Sequence, residues 1–252
     1  MNDFHRLHFY YRSTGGDNKK GRPPYYSKET CLRSFLRAQA RVASCSRVTF
    51  VNDGPIPGDR LRVMWEHGTI LPLSGIGNTP CHRETLRHAL ASKSELVYFA
   101  EDDYLYVASA FEQMIAAFDS LPGVDYVTLY DHTDRYRRRD DARRGRSRIF
   151  LTEATHWRTV ESTCMTFGAR RHVLASDRWI HALPTRKPFP ADRRIWRMTQ
   201  GIGPYFWLLP KRTLVGPMPG LATHMDPDQL SPFVDWESEA RQADDWSGAK
   251  GM

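Results

Sequence analysis

Cysteine is scarce, and where it occurs it is not spaced for metal. Cys31, Cys45, Cys81 and Cys164 are the four among 252 residues. They form no CxxC pair and no other zinc spacing. Three of them fall within segments of apolar periodicity, which reads as reduced core thiols and sets the expectation of a cytoplasmic protein. Long apolar runs are missing too. No stretch approaches the roughly 18 residues of a membrane span. The opening MNDFHRLHFYYR lacks the apolar stretch of a secretory leader, so any membrane contact is expected to be peripheral. No Walker-type phosphate loop occurs. Signatures of helix-turn-helix, zinc-finger and RNA-recognition modules are absent as well. There is no internal repeat and no linker clear enough to divide the chain.

What is present suits a globular domain with ample core: 40% of residues are hydrophobic and 26% charged. The formal net charge is +7, which favours anionic partners such as nucleotides, nucleic acid, acidic glycans or an anionic membrane.

Segment by segment, an α/β pattern emerges. The aromatic run RLHFYYR reads as a first strand and is followed by the polar loop STGGDNKKGRPP. In SKETCLRSFLRAQA, Leu32, Phe35, Leu36 and Ala40 recur at helical spacing, interrupted by Gln39, with Ser27 placed to cap. RVTFVNDG is a second strand ending at a turn. NTPCHRETLRHALA predicts a helix with Thr79 as N-cap and Pro80 in the first turn. ELVYFA is the kind of short apolar run that a parallel sheet buries on both faces. AFEQMIAAFDSLPG predicts a helix and VDYVTLY another strand. Beyond Asp131 the predicted elements are a strand and turn in RTVESTCMTFGARR, helices in RRHVLASDRWIHAL and PADRRIWRMTQG, then short proline-broken strands. The order argues for an open, mostly parallel sheet flanked by helices, with a more irregular C-terminal half. The expected organisation is one domain over residues 1–236, divided into halves 1–131 and 132–236, with a polar tail over 237–252 that frays.

The stretch LVYFAEDDYLY places Glu101, Asp102 and Asp103 straight after the buried-type strand. Ligands of such sheets bind outside the carboxyl ends of the strands, where Arg12 and Asp53 also fall. Adjacent carboxylates repel, and a hard divalent cation such as Mg²⁺ or Mn²⁺ would neutralise them while leaving positions for phosphate oxygens.

YFAEDDY, the preceding strand FVNDG and LATHMD near the C-terminus together resemble a glycosyltransferase of the GT-A fold. The acidic motif of that family is usually Asp-any-Asp; here its first position is Glu101. The resemblance spans roughly residues 6–236. It implies that Asp103 binds the metal bridging the donor diphosphate and that Asp102 and Glu101 face the ribose or donor sugar. It further implies that Asp53 reaches the nucleobase or ribose and that Arg12 and the STGG loop sit over the base. Arg83 is placed to pair with phosphate or with the acids, or to be a surface arginine. His224 resembles the histidine that completes the metal sphere, with Asp226 as a weaker neighbour.

If transfer inverts the sugar, a carboxylate must take the proton from the attacking hydroxyl. The family usually places it at the start of a helix in the acceptor half. Asp192 in FPADRRIW fits, with Arg193 and Arg194 expected to keep it ionised. Glu161 is the alternative base or an acceptor ligand. Trp157, Trp179 and Trp196 are candidates to stack on sugars or to fill the core.

The segment Arg135–Arg148 holds eight arginines against two aspartates and reads as an exposed loop. It could engage an anionic acceptor: hydroxymethylated DNA, an acidic glycan or a lipid-linked sugar. The expected function is metal-dependent transfer of a sugar from a nucleotide-diphosphate donor to a hydroxyl, with inversion on the family pattern. Two alternatives stay open. One is a basic nucleic-acid-binding module without catalysis. The other is a metal-dependent nucleotidyltransferase.

Overall fold

The computed structural model describes residues 5–17, 21–137, 147–183, 191–202 and 206–248. Its elements, in chain order, are β1 (Leu7–Ser13), α1 (Lys28–Ala40), β2 (Ser46–Asp53), α2 (Gly58–His67), β3 (Thr69–Leu73), α3 (Asn78–Ala91), β4 (Leu96–Glu101), β5 (Tyr104–Tyr106), α4 (Ala110–Ser120), β6 (Tyr126–Val127), α5 (Asp134–Arg137), β7 (Ile149–Leu151), β8 (His156–Thr159), β9 (Phe167–Arg170), α6 (Arg171–Ser176), α7 (Arg178–His181), α8 (Ala191–Thr199), β10 (Leu214–Met218), β11 (Ala222–His224) and α9 (Trp236–Asp244). The architecture is α/β with a mostly parallel sheet. The chain divides into two compact units that interleave in sequence rather than parting at residue 131. The first comprises Met1–Lys19, Val42–Asp102 and Cys164–Lys211; the second comprises Lys20–Arg41, Asp103–Thr163 and Arg212–Met252.

In the first unit the strand order is β3-β2-β1-β4-β9. β3, β2, β1 and β4 run parallel, and β9 returns antiparallel to β4. β1 is buried along its whole length, as a strand hydrogen-bonded on both sides must be when its faces are also covered. Its aromatics interdigitate with their neighbours: Phe9 meets Tyr98 and Tyr11 meets Phe50, both edge to face. The Tyr10 hydroxyl donates to the His88 carbonyl at 2.9 Å, which ties α3 to the sheet. Neither α2 nor β3 is apparent in the sequence. Only Arg60 and Met64 are buried along α2, and β3 is an edge strand containing Pro72, so neither carries a strong apolar period. The helix predicted over RRHVLASDRWIHAL is two short helices parted at buried Asp177.

In the second unit β10 pairs parallel with β6 and antiparallel with β8, which pairs with β7. A separate ribbon joins β5 to β11, antiparallel. Ser27 caps α1 as expected, accepting from the Thr30 amide at 2.9 Å. The tail does not fray where expected. α9 forms instead, because Trp236 and Ala240 bury their side chains with Cys31, Leu105 and Met225. Glu239 also pairs with the buried guanidinium of Arg37. No helix among the described residues is long and apolar enough to cross a membrane.

Three histidines of the first unit are held neutral by burial. His8 and His82 are lowered to about 3 and His181 to about 4. Unfolding restores ordinary imidazole affinity for protons, so the unfolded chain binds more protons between about pH 4 and 6.5. The stabilisation is complete above the unfolded value and is lost as pH falls toward the folded one. The melting temperature should therefore fall on acidification from pH 7 to 4.5. His8→Gln keeps hydrogen-bonding groups for Ser92 and Thr49 but cannot titrate, and should flatten part of that slope in calorimetry. An unchanged slope would place the titration elsewhere.

Candidate active site

Parallel pairing puts Arg12 in register with Glu101, so both emerge at one edge of the first unit's sheet. Arg12 is buried. Its guanidinium forms a short ion pair with Glu101 Oε1 and donates to Asn78 Oδ1 at 3.0 Å. It was expected over a nucleobase; it lies instead against the acid, because a carboxylate ending a buried strand needs a counter-charge. Asp102 is compensated differently. Its Oδ2 accepts from Ser13 Oγ at 2.9 Å and from the Thr14 amide at 2.8 Å. Neutral donors of this kind hold the carboxylate while leaving its charge in place.

Asp53 lines a recess, and both of its oxygens are engaged. Oδ1 accepts from the Ile76 amide at 2.7 Å and Oδ2 from the Gly77 amide at 2.8 Å. Its visible task is to fix the turn entering α3. The helix starts at Asn78 with Gly77 as N-cap, where the sequence suggested Thr79 as N-cap and Pro80 as the first helical residue. Gly77 has φ +86°, which a side chain would strain. The recess, about 560 Å³, is bordered by Thr14, Gly15, Gly16, Asp53, Pro55 and Gly75. A Cβ on Gly15 would lie 2.1 Å from the Pro55 carbonyl oxygen, so only glycine permits this approach of the two loops. Buried Arg60, from α2, donates to the Thr14 carbonyl at 2.7 Å and holds the first loop. Sequence reasoning missed Arg60, since nothing marks it among many arginines.

A second recess in this unit, about 70 Å³, is bordered by Asn78, His82, Arg83, His181 and Asp192. Burial raises the pKa of Asp192, opposed by a backbone hydrogen bond and by the charge of Arg12. Arg193 and Arg194 were expected to keep it ionised, but both are exposed. Arg83 is exposed on α3 and makes no ion pair with the acids among the described residues. Trp157 and Trp196 are fully buried and belong to the core, whereas Trp179 is half exposed.

In the second unit, the ribbon sets His224 opposite Tyr104, and the Met225 amide donates to the Asp103 carbonyl at 2.9 Å. Asp103 and His224, 121 positions apart, are thereby brought together: His224 Nε2 lies 3.1 Å from Asp103 Oδ2. The same oxygen accepts from Arg22 at 3.0 Å. Burial opposes ionisation of Asp103, but the bonds and charges of His224 and then Arg22 prevail and hold its pKa at about 2. His224 Nδ1 is buried and makes no hydrogen bond among the described residues. Asp226 does not join them; its Oδ1 accepts from the Asp228 amide and caps a turn.

A carboxylate beside an imidazole suits Mn²⁺ or Mg²⁺. Ligands in adjacent positions on such an ion, each about 2.1 Å from it, stand about 3 Å apart. The 3.1 Å separation of Asp103 and His224 fits a site with these two protein ligands. Among the described residues no group of three His, Cys, Asp or Glu side chains is arranged for a metal.

Glu161 lies just past β8, outside a strand and half-buried. Arg135 was read as part of an exposed loop, but it is committed internally. With Arg158 it pairs with fully buried Asp131, at 3.1 and 2.7 Å. Tyr136 also donates a short hydrogen bond to Asp131. Arg148 is exposed beside the ring of Phe150. Residues 138–146 of the basic run lie outside the described residues.

Arg12→Gln would strand Glu101 without its cation in a half-buried place. The loss should be about 3 kcal/mol in urea unfolding. Adding Glu101→Gln should recover part of it. If the double variant is as unstable as the single, Arg12 acts through packing and not through this pair.

Neither protein-family models nor curated proteins match the sequence. Among solved structures, the chain is similar to residues 1–349 of S. aureus TarS at 14% identity and a TM-score of 0.48, covering 83% of this chain and 57% of that one. It is similar to the mannosyltransferase PcManGT from Pyrobaculum calidifontis, solved with GDP-Man and Mn²⁺, at 14% identity and a TM-score of 0.48, covering 83% and 56%. It is also similar to a CMP:2-keto-3-deoxy-manno-octonic acid synthetase complexed with CTP, at 14% identity and a TM-score of 0.49, covering 88% and 94%. The chain thus spans little more than half the length of the TarS and PcManGT chains it resembles.

Proposed function

We propose that the protein transfers a sugar from a nucleoside-diphosphate donor to a hydroxyl acceptor with the help of a divalent cation. The observation that carries this reading is the meeting of Asp103 and His224 at 3.1 Å, directly after an acid that closes the Ser13–Thr14 loop. In this reading the recess beside Gly15 and Asp53 takes the nucleoside. Asp102 keeps that loop closed and keeps its charge toward the ribose or donor sugar. Asp103 and His224 hold Mn²⁺ or Mg²⁺. When bound, the ion would offset charge on the departing diphosphate.

Asp192 serves as the base that accepts the acceptor's proton, which makes the transfer inverting. Its raised pKa suits proton uptake better than an ordinary aspartate does. Exposed Arg83, at the rim of the same recess, is the candidate for donor phosphate. Glu161 is kept as an acceptor ligand. The acceptor is a hydroxyl-bearing glycan, glycolipid or modified DNA base, and anionic acceptors suit the remaining arginines of the basic run.

Nucleotide sugars with Mn²⁺, screened by thermal shift, should raise the melting temperature for one nucleobase class. Turnover should release nucleoside diphosphate. Release of pyrophosphate would favour nucleotidyl transfer. Steeply salt-dependent nucleic-acid binding without turnover would favour a binding module. Asp103→Asn should cut transfer by at least about a hundredfold; full activity in that variant would remove the cation assignment. Asp192 must be ionised to accept a proton, so kcat should fall as pH drops through its raised pKa. Asp192→Asn should abolish that limb along with most of the rate. A retained acidic limb in Asp192→Asn would assign the base elsewhere.

A further inference from the structure

The cation against Asp103 in this structure is a guanidinium, and it is firmly seated. Arg22 donates to Asp103 Oδ2 at 3.0 Å and to the Met225 carbonyl at 2.6 Å. Its guanidinium carbon lies 4.5 Å from the centre of the Tyr26 ring, within reach of a cation–π interaction. The side chains of Arg22 and Asp103 are only 11% and 15% exposed. The oxygen that takes Arg22 is the one that faces His224 Nε2, the oxygen a shared metal ion would need.

We infer that Arg22 is a built-in competitor for the cation position on Asp103, so that a divalent ion binds this carboxylate only by displacing the guanidinium. This rests on the proposed reading of Asp103 and His224 as metal ligands. The charges give the reason. Asp103 with Arg22 is a neutral pair. Adding a divalent ion while Arg22 stays would leave a net charge of about +2 in a poorly solvated place, which costs far more there than in water. The guanidinium must leave the oxygen, giving up its bond to Asp103 and loosening those to the Met225 carbonyl and the Tyr26 ring. Metal alone therefore binds weakly. A diphosphate offers Arg22 a new counter-anion and the ion further oxygen ligands, so nucleotide and metal each strengthen binding of the other by the same factor. Such an arrangement keeps Asp103 compensated between turnovers without any resident metal.

The test is titration of the whole chain with Mn²⁺ alone, following the loss of the free-ion electron paramagnetic resonance signal. Arg22→Gln should bind Mn²⁺ at least about tenfold more tightly than the parent, because a competing charge is gone. Arg22→Lys keeps the charge but cannot span both oxygens in the same way, and should fall between them. Asp103→Asn added to Arg22→Gln should abolish the gain. Melting curves establish that each variant is folded; if the Gln variant is not, the Lys variant carries the comparison. Equal affinity in parent and folded variants, or binding in none, overturns the inference. Equal affinity with intact sugar transfer removes the role of Arg22 and leaves the transferase reading standing. A gain in the Arg22 variants, together with no nucleotide-sugar turnover by the parent protein, supports the competition and removes the transferase reading.

Discussion

Three consecutive carboxylates at the end of a buried strand must each be compensated, and the local structure follows from how this is done. Glu101 is met by Arg12 across a parallel ladder, so its partner is set by strand register and cannot be exchanged without shifting the sheet. Asp102 is met by a hydroxyl and an amide, which hold the group but do not cancel its charge. Asp103 is met by an imidazole and a guanidinium carried on other segments. The first compensation is set by strand register, the second comes from a loop folded onto the acid, and the third from side chains of separate segments, of which Arg22 is the one the proposed reading has a metal ion displace. An acidic triplet treated as one unit would hide this graded behaviour. Glu101 is tied to the sheet by a cation, Asp102 to a loop by a hydroxyl and an amide, and Asp103 to two side chains from elsewhere in the sequence.

The loop after β1 shows the same economy. Its conformation is set by Asp102 from β4's end and by Arg60 from α2, and its approach to the Pro55 carbonyl is possible because Gly15 has no side chain. Asp53 does for the turn before α3 what Asp102 does for this loop, accepting two backbone amides. Two carboxylates at parallel strand ends thus shape the walls of the larger recess through backbone groups. A buried carboxylate with both oxygens satisfied by amides is rigid, and rigidity is what a recess needs if it is to discriminate among flat ring systems.

Much of the scaffold was legible because its signals are local. β1, β2 and β4 carry the apolar runs of buried strands, and Ser27 sits where an N-cap belongs. That the acids and Arg12 both lie at strand ends followed from parallel order; that Arg12 pairs with Glu101 did not, because it depends on the register of β1 against β4. What failed to show depends on contacts remote in sequence. α9 looks polar as a string and is ordered by two alanine and tryptophan contacts to α1 and β5. β3 and α2 present little apolar surface, so no period betrays them. The N-cap of α3 is Gly77, two residues before Thr79, where a carboxylate from β2, more than twenty residues upstream, accepts the turn amides, which no capping rule scanning adjacent residues can find. At Asp192 the adjacent arginines of the sequence suggest a carboxylate kept ionised, whereas both are exposed and burial raises its pKa.

The positive net charge needs the same correction. Composition gives +7 and invites a search for an anionic surface partner. Yet Arg12, Arg37 and Arg60 are buried, and Arg22, Arg135 and Arg158 are nearly so, each spent on a carboxylate or a carbonyl within its own unit. Their charges do not reach the solvent as surface lysines would, because field lines from a compensated pair close on its partner. The arginines instead decide which carboxylates stay silent and which remain open to a ligand. An argument from total charge to nucleic acid or membrane therefore counts several cations that are already occupied. Arg22 differs from the others in that its carboxylate partner, Asp103, is the one the proposed reading assigns to a metal ion, so a displaced Arg22 would be free to take an anionic ligand.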